Sequence, residues 1–395
     1  MTTPQPVLKG LWHPGLDKLR AEIESNLADH TEIGMSLSID VAGESFADVW
    51  GGWRDAERTV EWTEDTLVNV WSTTKTVSSL ALLMLVDREQ VDINAPVSHY
   101  WPEFASQGKE NVLVRHIMGH ASGVSGWETP FHYTEAFNHV TSAARLASQA
   151  PWWTPGSASG YHATNYGHLV GEIVRRVTGR SLGQFIADEI AGPLGADFHL
   201  GLDDSDFSRV ATIYPPVGFD LADSLPDAVD ASKSDLRAQV AAKTLAGSIA
   251  DIGLANTAPW RRAEIGGSNG HTNARALNTI FRTVTLGGSA NGIQLLSPET
   301  VDLIFDTQTD GVDLYLNLPI RWGVGYALPS AGVPFIPEGK TCFWGGWGGS
   351  MVVMDLDRQV TFTYVMNQMQ PGTIGSDVVA KYFDIAYRCV EDLHT

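Results

Sequence analysis

Ser72 and Lys75 stand three residues apart in Val68-Asn69-Val70-Trp71-Ser72-Thr73-Thr74-Lys75, directly ahead of the apolar run 77–86. If that run is a helix, Ser72 falls at its N-terminus and Lys75 lies one turn on, on the same face. A serine and an amine so placed make a nucleophile and its base. The amine accepts the hydroxyl proton, and the helix N-terminus favours the negative charge that develops. The plainer account makes Ser72 an N-cap and Lys75 a solvated first-turn residue. The bare pattern is weak, because Ser106-Gln107-Gly108-Lys109 matches it in a polar stretch with no apolar helix behind it. Gly266-Gly267-Ser268-Asn269-Gly270 offers a rival nucleophile in G-x-S-x-G form. That elbow needs a buried strand ahead of it, and 257–265 carries Pro259, Arg261, Arg262 and Glu264 instead. In His116-Ile117-Met118-Gly119-His120 two histidines have helical metal-ligand spacing, but the glutamate of a zinc protease is missing and Gly119 weakens the helix. It reads as a structural turn. With no glycine-rich phosphate loop or dinucleotide fingerprint in the chain, neither a metal nor an organic cofactor is expected.

Hydropathy patterning supplies the elements that must position these groups. Leu16, Leu19, Ile23 and Leu27 recur at helical spacing and predict an amphipathic helix over 15–29. Alternation over 35–41, the turn Ala42-Gly43-Glu44 and the run 45–50 predict a β-hairpin. Two more strands are expected at 350–354 and 360–366, followed by a closing helix marked by Val379, Tyr382, Phe383, Ala386 and Val390. Between the ends the clearest helices are 77–87, 166–178, 182–190 and 274–286, while Pro- and Asp-rich 203–235 reads as a surface excursion. The expected fold class is α/β (α+β), with an antiparallel sheet flanked by helices. Residues 1–75 and 270–395 would form this α/β part, and a mostly helical region, 76–269, would be inserted between them.

Composition narrows the functions. At 395 residues, 43% hydrophobic and 18% charged, the chain is ordinary globular protein and long enough to bury a core unaided. Acidic residues outnumber basic ones 46 to 26, for a net charge of −20. Such a surface repels phosphate backbones and anionic lipid, so neither nucleic acid nor membrane is an expected partner. Cys342 and Cys389 are too few for a disulfide framework and are expected as free thiols. The polar, Pro-containing N-terminus lacks the apolar run of a signal peptide, and 77–86 is too short for the ~20 residues of a membrane span. A cytoplasmic protein is the expectation.

Gly52-Trp53-Arg54-Asp55, Trp62-Thr63-Glu64-Asp65-Thr66-Leu67 and the Ser72 segment closely resemble the start of the serine β-lactamase and penicillin-binding-protein superfamily. Within it the chain looks most like the class C-related branch and the family VIII carboxylesterases. His120-Ala121-Ser122-Gly123-Val124 resembles the family's His-Thr-Ser-Gly segment, and Pro155-Gly156 precedes Tyr161-His162-Ala163 as it does there. Trp344-Gly345-Gly346-Trp347-Gly348-Gly349-Ser350 leads into the strand expected to carry the third family box.

The resemblance implies a β-lactamase-like fold and hydrolysis of a small-molecule ester through an acyl-enzyme on Ser72. It implies Lys75 and Tyr161 as the base: a phenol beside an ammonium loses its proton more easily, takes the Ser72 proton and returns it to the leaving alcohol. The backbone N–H groups of Ser72 and Trp347 would form the oxyanion hole. Trp344, Gly345 and Gly346, in place of the lactamase Lys-Thr-Gly, are expected at the substrate with His162. The indole would be an apolar wall and the glycines would allow close approach. His162 could also act as a base, although a structural role fits it better. Lys340-Thr341-Cys342 is a degenerate copy of the box whose register would move the glycines off their strand. Ala163 stands where the second box has asparagine, which removes an amide that would hold the lysine. The rival readings are a β-lactamase, a D-amino-acid peptidase or amidase, an acyltransferase, and a non-catalytic penicillin-binding-like sensor. Retention of Ser72, Lys75 and Tyr161 together argues against the last.

Overall fold

Apolar runs from opposite ends of the chain meet in one nine-stranded antiparallel sheet. In the computed structural model, which describes residues 7–219, 235–246 and 252–393, the strands are β1 (Lys9–Trp12), β2 (Gly34–Val41), β3 (Glu44–Gly52), β4 (Thr309–Val312), β5 (Pro319–Trp322), β6 (Ala327–Leu328), β7 (Thr341–Gly345), β8 (Met351–Asp355) and β9 (Val360–Met366). Their order across the sheet is β1-β3-β2-β9-β8-β7-β6-β5-β4. The central pair joins the two ends, with Leu37 opposite Tyr364 and Ile39 opposite Phe362. Both strands are buried along their whole length, because helices cover both faces. Ala42 and Gly43 close the β2–β3 hairpin with positive φ at both positions, the turn whose twist suits paired strands.

Of helices α1 (Asp17–Ala28), α2 (Thr74–Asp87), α3 (His139–Ser148), α4 (Tyr166–Thr178), α5 (Ala274–Thr285) and α6 (Asp377–Leu393), α5 covers one face of the sheet and α6, with α1 packed on it, the other, while α4 packs on α2 and α3. On one face of β9, Thr363 Oγ1 donates to the Ala274 carbonyl of α5 at 2.8 Å. On the other, Phe362 and Tyr364 meet Phe383 and Tyr382 of α6 at ring separations of 5.2 and 5.6 Å. Helix α2 is buried from Thr74 to Leu85, so its lack of a polar face is explained by packing on every side.

Several expectations need correction. The hairpin, the closing helix and β9 fall where patterning put them, but strands β4 to β6 went unseen. They are two to four residues long, and Gly311 and Pro319 break up the first two, so alternation has no room to register. The third box does not lie on the strand that follows the glycines. Trp344 and Gly345 end β7, and 346–350 turns into β8. The helix expected over 182–190 runs Leu182–Ile186 and continues through a π turn, Ala187–Ala191. Of the stretch 203–235, the bridges Leu67–Val210 and Tyr214–Gln368 tie down the first part, and 220–234 lies outside the described residues. Among the described residues no helix is long and apolar enough to cross a membrane.

Candidate active site

The turn that leads into α2 fixes Ser72. Trp71 takes a φ of +46°, unusual for a bulky side chain, and the surroundings over-determine it. Val70 N–H donates to Gly270 O at 2.9 Å, Gly270 N–H to Thr74 Oγ1 at 2.8 Å, and Ser350 Oγ to Val70 O at 2.9 Å. Thr73 Oγ1 and Ser350 Oγ lie 3.0 Å apart. Gly346 passes so close to this turn that a Cβ there would sit 2.2 Å from Ser350 Oγ and 2.3 Å from Val70 O. Ser72 emerges half-buried between buried neighbours.

Lys75 is 2% exposed, and its Nζ has three partners: Ser72 Oγ at 2.9 Å, Ala163 O at 2.8 Å and Gly267 O at 2.7 Å. Burial pushes the amine well below its ordinary pKa, toward the neutral form. A neutral amine has two N–H groups and one lone pair. The two carbonyls take the N–H groups, which leaves the lone pair to Ser72. The expected gap at Ala163 is therefore closed by that residue's own carbonyl. Gly267 O is a contact that sequence reading missed. It comes from the G-x-S-x-G segment, which is a turn folded over Lys75 and not a strand-to-helix elbow. Ser268 borders the cavity there.

Tyr161 is 2% exposed, with Lys75 Nζ 4.9 Å from its ring centre. Its phenol oxygen accepts a hydrogen bond from Trp344 Nε1 at 3.0 Å. Burial raises the phenol above its ordinary range against the lowering pull of Ser72 and Trp344. Burial thus favours neutral Lys75 and neutral Tyr161 alike, where the sequence reading has an ammonium beside a phenol that loses its proton. The backbone N–H of Tyr161 donates to Asp313 Oδ1 at 3.0 Å, a second contact the sequence did not disclose.

These groups open on a cavity of about 500 Å³. Trp71, Tyr161, Phe219, Tyr315 and Trp347 border it, and no charged side chain does among the described residues. Trp347 meets Trp71 and Phe219 edge to face at 5.4 and 5.8 Å. Neither its amide nor that of Ser72 donates a hydrogen bond of ordinary geometry among the described residues.

The other residues expected at the substrate do not border this cavity. Trp344 is 2% exposed and does not border the cavity; it packs behind Tyr161, with Trp322 at 4.6 Å. Gly345 and Gly346 are buried, with neighbouring backbone and side-chain atoms crowded against both. His162 is fully buried between Gly160 O at 2.7 Å and Ser122 Oγ at 2.6 Å, and burial pushes it down to about 3, so it orders the second-box loop. Lys340 sits at the opposite end of β7, paired with Asp302. Lys109 is buried against the Ser106 and Ala147 carbonyls at the end of α3, which disposes of the second Ser/Lys pattern. His116 receives the Leu113 amide while His120 packs on Tyr161, so the two do not share a ligand.

The fold and the Ser–Lys–Tyr cluster define a serine hydrolase of the β-lactamase type. The β-lactamase family model matches residues 19–383, and the chain belongs to that family. It is 31% identical over 347 residues to "Esterase/beta-lactamase LipL" of Mycobacterium tuberculosis, covering 87% of this chain and 79% of that protein. A solved family VIII carboxylesterase superposes with a TM-score of 0.88 at 32% identity, over 97% of this chain and 100% of the other. A penicillin-binding protein homologue from Caulobacter crescentus does so with the same score at 33% identity and the same coverage.

Proposed function

We propose that the protein is a carboxylesterase that hydrolyses uncharged small-molecule esters through an acyl-enzyme on Ser72. The observation that carries this reading is the Lys75 amine, 2.9 Å from Ser72 Oγ, with its other two positions held by carbonyls. Neutral Lys75 takes the Ser72 proton as Oγ attacks the ester carbonyl. The amides of Ser72 and Trp347 receive the charge on the carbonyl oxygen. Tyr161, oriented by Trp344, gives its proton to the departing alkoxide and regains one from protonated Lys75. Water then enters, loses its proton along the same path in reverse, and frees the acid.

Esters are favoured over β-lactams by the cavity's chemistry. A lactam carboxylate needs a cation, and the position that would supply it holds the buried, neutral Trp344. The family VIII carboxylesterase agrees with this reading, and LipL, an esterase/β-lactamase, is compatible with it. We also read the chain as a cytoplasmic protein built from an α/β part, 1–75 with 270–395, and a mostly helical part, 76–269. Support comes from two buried cysteines that form no disulfide and from the strands of the sheet, which all fall within 9–52 and 309–366.

The test compares kcat/KM for a short-chain nitrophenyl ester with that for nitrocefin on one preparation. A ratio well above one is expected. A ratio near or below one overturns the ester assignment, and failure of a fluorophosphonate to label Ser72 overturns catalysis altogether.

A further inference from the structure

Asp313 lies between β4 and β5 and is completely buried. Its Oδ1 accepts the backbone N–H groups of Tyr315 and Leu316, each at 3.0 Å, as an aspartate at the head of a turn does. The same oxygen accepts Tyr161 N–H, from 152 positions away, at 3.0 Å. Its Oδ2 accepts the Trp322 indole N–H at 3.3 Å. The turn itself requires neither of these last two bonds. They join three things that matter to the site: the second-box loop, the cavity wall at Tyr315, and Trp322, whose ring lies parallel to that of Tyr161 at 5.9 Å. Leu314 N–H adds a bond to Ser159 O at 2.8 Å, so the two segments run side by side.

We infer that Asp313 is a positioning residue for the reaction at Ser72: its one buried carboxylate sets the place of Tyr161 and adds a negative charge to the surroundings of the phenol. The inference rests on the acyl-enzyme reading above. All four partners of Asp313 are neutral N–H groups, so its charge is stabilised by dipoles and is felt by its neighbours. Lys75 and His120 also face Tyr161, and burial drives both toward neutral. Tyr315 faces it at 6.1 Å, and burial together with Asp313 pushes Tyr315 up to about 12. A negative neighbour disfavours the phenolate, so loss of the Asp313 charge lowers the pH at which Tyr161 deprotonates.

The experiment compares full-length Asp313→Asn and Trp322→Phe with wild type, using pH–rate profiles on a nitrophenyl ester and the rate of fluorophosphonate labelling of Ser72. Asparagine keeps an acceptor oxygen for Tyr161 but removes the charge. It should lower kcat and the labelling rate by roughly 10- to 100-fold, the range of a general acid–base contribution, leave KM nearly unchanged, and move the alkaline limb to lower pH. Trp322→Phe keeps the charge and should leave that limb in place. A wild-type kcat in Asp313→Asn overturns the inference, as does a loss confined to KM or a loss with an unmoved limb. Should Asp313→Asn not fold, Asp313→Glu decides: a lowered kcat with an unmoved limb is expected, and a wild-type kcat overturns it. Ser72 that labels without any ester turnover would count against the esterase reading alone, because the labelling rates still test Asp313.

Discussion

The indole nitrogen of Trp344 donates to the phenol oxygen of Tyr161 across 3.0 Å, from a ring that does not border the cavity. Trp344 is thus a neutral donor to the phenol. The phenol is oriented without a cation that would bind an anionic substrate or pull the phenol toward phenolate.

Trp344→Phe removes that donor and keeps most of the ring packing. The expected loss in kcat is about tenfold, near the ~1.4 kcal/mol of one good hydrogen bond, with KM unchanged. Steady-state kinetics on a nitrophenyl ester decides the matter. A raised KM at intact kcat would return Trp344 to the substrate wall.

Ser72→Ala should abolish ester turnover, whereas Ser268→Ala should keep most of it, because the Lys75 amine pairs with Ser72 Oγ and meets the 266–270 turn at the Gly267 carbonyl. Loss of activity only in the Ser268 variant would revive the α/β-hydrolase alternative.

Lys75→Arg tests the neutral amine. A guanidinium stays protonated and cannot take the Ser72 proton, so activity should fall by ~10³-fold, within the range for a lost general base, at every pH. In the wild type the lowered amine pKa should carry the active plateau well below pH 10.5, with the rate falling on the acid side as Lys75 takes a proton. A wild-type rate that climbs steadily to pH 10.5 would show that Lys75 titrates like an ordinary lysine.

Much of this site was legible from residue types, but its connections were not. Ser72 and Lys75 sit on one helix, so spacing alone brought them together. Tyr161 needed the family resemblance, since a lone tyrosine before a helix looks like packing. The Gly267 and Ala163 carbonyls carry no side-chain signature, and a backbone oxygen aimed at an amine is invisible until the chain is folded. Asp313 sits in a Gly- and Asp-containing stretch that reads as loop, and its distant partners are an indole and a peptide N–H, neither marked by any pattern. Trp344 is expected at the substrate and packs behind Tyr161 in the structure, because an apolar ring on a strand does not announce which face it takes.

Glu32 should give folding stability a pH dependence of its own. It is 1% exposed against the hydroxyls of Tyr364 and Tyr382, and burial raises its pKa from 4.5 to about 8. With the folded value above the unfolded one, its contribution is complete below pH 4.5 and is lost as pH rises through about 8. Glu32→Gln should remove this slope and exceed wild type above pH 8 by at least ~1 kcal/mol, since a tenfold change in proton affinity is worth about 1.4 kcal/mol. Urea unfolding at pH 5 and pH 9 measures it. The same stability difference between variant and wild type at both pH values would exclude Glu32.

Cys342 and Cys389 are buried and form no disulfide. Dithiothreitol should therefore change neither melting temperature nor turnover, and a clear loss of either would point to a bridge that needs explaining.

Ser350 Oγ closes the turn around Ser72 from 280 positions further along the chain, at Val70 O, and β2 is flanked on one side by β9. During synthesis the nucleophile therefore leaves the ribosome long before the strands that brace it. At ~5–20 residues per second the wait is roughly 15–60 s. Over that interval the nascent chain holds a β2 with one edge unpaired and an unbraced serine. Premature termination anywhere before β9 should yield no weakened enzyme at all, only a chain for chaperones to hold or proteases to clear.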